Sequence, residues 1–116
     1  MSRISFAALC ALLSAPATAL EMPADPVQRV ALIAAIPSLA HYDCPGLDGD
    51  RDAAHAAVRA NGVTPAEMAN EPYASAVEEW VQAFHADASR RYCNVFLRAF
   101  GPRGVILPGL VHEVAE

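Results

Sequence analysis

The sequence predicts an all-α domain, a small bundle of about four helices with one long C-terminal helix, closed by one disulfide. Three observations predict it. Apolar residues recur at three- and four-residue steps through the C-terminal half. Helix-start signals, an Asp or Thr next to Pro or ahead of a run of alanines, open the earlier segments. Cys44 and Cys93 are the cysteines left once an N-terminal leader is set aside, and an even count in an exported chain reads as a bridge.

The leader occupies residues 1–19. Arg3 supplies the positive start, and Ile4 to Leu13 is apolar except for Ser5. That run is too short to span a bilayer, which takes about 20 residues. Ala17-Thr18-Ala19 places small residues at both cleavage-determining positions, so the cut is expected between Ala19 and Leu20. Cys10 lies inside the apolar run, behind Leu9, where a lipid-modified cysteine would not stand. The expected compartment is the periplasm or the exterior, with residues 20–116 forming a single helical domain and no later segment long enough to cross a membrane.

Leu20 to Ala24 reads as a short tail. Asp25-Pro26 then starts the first helix, because Asp can accept free backbone N–H groups and Pro suits the first turn. Val27 to Ile36 is apolar nearly all round, which predicts a buried helix. Pro37 is expected to end it. A loop with Cys44-Pro45-Gly46 follows. Asp50 caps a second helix over about 51–60, whose alanines permit close packing, and Asn61-Gly62 ends it. Thr64-Pro65-Ala66-Glu67 combines a Thr cap, a first-position Pro and a Glu three residues on, the pattern of a capping box. Pro72 limits this third helix to about two turns.

Tyr73, Val77, Trp80, Val81, Phe84, Ala88, Tyr92, Val95 and Ala99 form one apolar stripe. Their spacing predicts a long helix over 73–99, with a break near Asp87–Arg91 left open. Cys93 lies off the stripe beside Leu97 and Phe100, so the bridge is expected to cover a second side. Gly101-Pro102-Arg103-Gly104 ends the helix. Val105 to Val111 is a short apolar tail expected to pack back on the domain. The Cys44–Cys93 bridge closes a loop of about 50 residues, worth about 4 kcal/mol in the chain-entropy model.

The chain carries a net charge of −5, which becomes one unit more negative when Arg3 leaves with the leader. It contains no lysine. An acidic chain without a basic run argues against nucleic acid and anionic lipid as partners.

Candidate chemistry is sparse. Asp48-Gly49-Asp50-Arg51-Asp52 resembles the opening of a calcium loop. The sixth and twelfth positions, which need Gly and Glu, are Ala53 and Arg59, so helix capping is the expected role. His41, His55, His85 and His112 show no i, i+4 pair and no metalloprotease motif, and no metal or cofactor is expected. Glu67, Glu71, Glu78 and Glu79 read as a solvated helix face. Ser75 and Ser89 lie in no nucleophile context.

Cys44-Pro45, Gly62-x-Thr64-x-x-Glu67, Tyr92-Cys93 and a Gly-containing apolar tail together resemble a family of small exported alphaproteobacterial proteins of unknown function. The resemblance spans roughly residues 40–110. This chain departs from it in a shorter stretch before Tyr92-Cys93 and in Asn94-Val95-Phe96-Leu97 after it. The resemblance implies a periplasmic helical domain with this disulfide and implies no activity.

The reading that follows is a non-enzymatic periplasmic domain that acts by contact with another protein, of unknown oligomeric state. Its rivals are an acid-activated periplasmic chaperone, and a small hydrolase using His and Glu.

Overall fold

The computed structural model describes residues 22–114; the expected leader, with its Ala19–Leu20 cleavage site, lies outside them. In chain order the elements are α1 (Pro26–Asp43), β1 (Leu47–Gly49), α2 (Arg51–Ala60), a 3-10 helix (Pro65–Ala69), α3 (Tyr73–His85), α4 (Tyr92–Phe100) and β2 (Val111–Glu113). The domain is mostly helical, but it is not all-α.

α1 is the axis. Asp25 accepts the Gln28 N–H at 3.2 Å and so caps its start. Val30, Ala31, Leu32, Ile33, Ala35 and Ile36 are all buried, as an all-round apolar helix requires. Contrary to expectation, Pro37 does not end it. The helix runs on to Asp43, with Cys44 as its C-cap. An interior proline costs about 3 kcal/mol. Burial of Leu39, Ala40 and Cys44 offsets that cost, since one buried Leu contributes about 1.5–3 kcal/mol.

The small sheet is absent from the sequence-based expectation. β1 and β2 pair antiparallel with Leu47 opposite Glu113 and Gly49 opposite Val111. The pair is extended by Asp50 N–H to the Leu110 carbonyl (2.8 Å) and Val114 N–H to the Gly46 carbonyl (2.9 Å). β1 lies so closely on α1 that a Cβ on Gly49 would collide with the backbone of Pro37, and only glycine fits there. The expected apolar tail packs back at its end, with Leu110 and the first β2 residue Val111 buried, while Val105 stays exposed.

Asp50 caps α2 by accepting the Ala53 N–H at 2.9 Å. The expected capping box is present. Thr64 Oγ1 accepts the Glu67 N–H and Glu67 accepts the Thr64 N–H, each at 3.2 Å. The element it starts is a 3-10 helix and not an α-helix.

The long helix over 73–99 is also corrected: it is two helices, parted at the Asp87–Arg91 stretch where the sequence leaves a break open. α3 stops at His85, and α4 begins at Tyr92. Between them Asp87 accepts both the hydroxyl (2.6 Å) and the N–H (3.2 Å) of Ser89, a local bond that competes with helix. Arg90 sits at φ 54°. The packing reason for the break is aromatic. In a continuous helix Phe84 and Phe96 would lie about 18 Å apart along the axis. Here their ring centroids are 5.2 Å apart, and Phe84 is also 5.2 Å from Tyr92 and 5.7 Å from Trp80. The apolar stripe is thus two helices turned onto each other around Phe84. Trp80 Nε1 donates to the Gln28 carbonyl at 3.2 Å and fixes α3 to α1.

Cys44 and Cys93 form the disulfide, Cα to Cα 5.6 Å, joining the end of α1 to the first turn of α4. Among the described residues no helix is long and apolar enough to cross a membrane.

Candidate functional site

Successive residues on a helix point about 100° apart. At the C-terminal end of α1 this sends neighbouring side chains to different parts of the fold. His41 Nδ1 is 2.7 Å from Asp48 Oδ1 on β1. Asp43 Oδ2 is 2.7 Å from His85 Nε2 at the end of α3. Cys44 is bonded to Cys93 on α4. The Asp43 carbonyl also accepts from Arg90 Nη1 at 3.0 Å, which holds the α3–α4 link against the same point. Tyr42 differs from its neighbours in making none of these ties. It is 76% exposed, with its ring edge-on to His41 at 4.6 Å.

The charges here are set by hydrogen bonds. Asp48 Oδ1 accepts from His41 and from the Gly49 N–H at 2.8 Å, and these bonds hold its carboxyl below the usual aspartate range. Ser89 does the same for Asp87, ahead of the opposing effect of burial. Burial, then the Asp43 charge, pushes the Tyr92 hydroxyl up. Asp43, His85, Asp87, Arg90 and Tyr92 line a wide, shallow cavity of about 380 Å³ beside the disulfide.

A His–Asp pair supplies two members of a hydrolytic triad, the base and the group that orients it, and lacks the nucleophile. Neither His41 nor His85 has a hydroxyl or thiol hydrogen-bonded to its ring among the described residues. Ser75 Oγ donates to Glu71 at 2.7 Å, Ser89 Oγ to Asp87, and Glu78 accepts from Gln82 at 3.1 Å. These side chains are engaged in short-range bonds. Among the described residues no three His, Cys, Asp or Glu side chains gather as a metal site. The calcium-like acidic segment is divided between two other tasks: Asp48 holds His41 and Asp50 caps α2.

No family model, curated protein or solved structure matches this chain.

Of the side chains singled out in the sequence, Cys44 and Cys93 meet. His85 is tied to Asp43, the neighbour of Cys44, and His41 to Asp48, while His55 lies at a separate cavity and His112 faces Asp48 across the strand pair. Sequence reasoning misses the two His–Asp ties, because one spans 42 residues and the other depends on a strand it does not foresee. It misses Tyr42 as well. A signal for it exists: it is an aromatic two residues before a bridged cysteine, beyond the run of apolar residues on α1.

The separate cavity, of about 140 Å³, lies between α1, α2 and the Pro65–Ala69 helix. Ser38, Arg51 and His55 contribute its polar lining, and Pro37, Ala54, Val58 and Met68 most of the apolar remainder.

Proposed function

We propose that this is an exported, non-enzymatic domain that binds another protein through the Tyr42 end of α1. One observation carries the reading: Tyr42 is an exposed aromatic flanked by residues 41, 43 and 44, each tied to a different element. Aromatic residues dominate binding hot spots, and an anchor already held in place loses little freedom on binding. The disulfide supports an oxidising compartment. The resemblance to exported proteins of unknown function points the same way.

The test is a photo-crosslinking residue placed at position 42 in cells, with adducts identified by mass. A single adduct protein is expected. Tyr42→Ala should stay folded, because the side chain is exposed, and should bind the purified adduct protein at least about tenfold more weakly. Unchanged binding by Tyr42→Ala would overturn the reading.

Acid activation is a second reading with an observation behind it. The His–Asp ties secure α1 to β1 and α3, and the tie to His41 holds the Asp48 carboxyl below its usual range. Acid that protonates Asp48 releases β1 from α1, while the disulfide keeps the chain joined. Binding of an apolar dye and protection of aggregating clients at about pH 2–3 would favour this reading. A dye-negative, folded protein there would exclude it.

A further inference from the structure

The cavity between α1, α2 and the Pro65–Ala69 helix has a chemistry of its own. Alanines leave it open: Ala34 and Ala54 line the space between α1 and α2 and do not fill it. The capping box at Thr64 and Glu67 fixes the short helix that brings Met68 to its edge. Arg51 and His55 stand four residues apart and so share one face of α2. Ser38 adds a hydroxyl from α1. Arg51 and His55 have no hydrogen-bond or ion-pair partner among the described residues. They differ in this from His41 and His85, which are tied to Asp48 and Asp43.

We propose that this cavity binds a small carboxylic acid with a compact apolar group. Arg51 supplies a permanent positive charge with a forked set of donors that matches a carboxylate. His55 and Ser38 supply further hydrogen bonds. No carboxylate lines the cavity. Of the two that flank Arg51 in sequence, Asp50 is turned to the Ala53 N–H as a helix cap and Asp52 stands in the first turn of α2 without lining the space. A cation therefore meets no carboxylate among the lining residues. The size selects the rest of the ligand: about 140 Å³ is close to the volume that accepts a benzene ring. The ring or branched chain lies against Val58, Ala54 and Met68, and the carboxylate stays at the polar side.

The inference is independent of the Tyr42 surface, and its test keeps the two apart. The folded, oxidised protein is titrated with benzoate and with benzyl alcohol, a neutral molecule of similar size, while the methyl resonances of Met68, Val58 and Ala54 are followed. Benzoate should give saturable shifts confined to this cavity. Benzyl alcohol should bind at least roughly tenfold more weakly, the scale of one charged hydrogen bond. Arg51→Gln alters an exposed, unpartnered side chain, so it should stay folded, lose benzoate affinity by a similar factor and leave the benzyl alcohol response unchanged. Tyr42→Ala should bind benzoate as the parent does. The absence of saturable shifts, equal affinity for the two compounds, or full benzoate affinity in Arg51→Gln would each overturn the proposal.

Discussion

Asp48 takes two hydrogen bonds on a single oxygen, one from His41 and one from the next residue's N–H. Both favour the ionised form, and the carboxyl is held below its ordinary value of 3.8. The sign of its effect on folding follows. A lowered folded-state pKa means that Asp48 stabilises the fold above the ordinary value, and that this contribution is lost as the pH falls through the depressed one. The denaturant midpoint of the parent should therefore drop across the window below 3.8. Asp48→Asn should be less stable at neutral pH and should show a shallower drop across that window. Parallel acid limbs for the two proteins would show that the tie has no part in acid sensitivity. Tyr92 acts at the opposite extreme. Its raised pKa makes burial of the neutral hydroxyl stabilising below the ordinary value of 10.0, and that contribution is lost as the pH rises beyond it.

At the scale of elements, the packing of α3 on α4 turns on one side chain. Phe84 is fully buried and meets Trp80, Tyr92 and Phe96. Phe84→Ala should cost about 3–5 kcal/mol in chemical denaturation, the range for a buried aromatic. A cost below about 1 kcal/mol, typical of a surface site, would mean that the two helices do not pack around it. The same pair of helices shows what a sequence reveals. Caps are local, so Asp25, Asp50 and the Thr64–Glu67 box can be read from three or four residues of text. The apolar stripe can be read too, but its period is the same whether the helix continues or turns back on itself. Only the long-range approach of Phe84 to Phe96 decides between them. Pro37 is a similar case. The local preference to stop is real, and burial of Leu39 and Ala40 overrides it. A strand pair of three-residue strands leaves too short a pattern to recognise, and the His41–Asp48 tie is hidden with it. The cysteine pair is legible for a different reason: with Cys10 assigned to the expected leader, two cysteines are left and allow one pairing.

For the whole molecule, the bridge between α1 and α4 spans 49 residues and so constrains every element between them. Cys93→Ser should lower stability by about 2–5 kcal/mol, the usual cost in small exported domains. Cys44→Ser should cost about the same. The double variant should be no worse than either single one, because all three lose one shared bond. Denaturant titration of the three variants checks this. Additive losses would mean that each cysteine has a separate packing role that outweighs the bond.

The link between α3 and α4 leaves Ser89, Arg90 and Arg91 exposed, with Cys44 before it in the chain and Cys93 after it. A protease that cuts after either arginine would divide the polypeptide and release nothing. The nicked molecule would remain one covalent body, with its two pieces joined through sulfur, and would migrate as one species until a reductant was added. Its persistence after cleavage would then depend on the redox state of its surroundings.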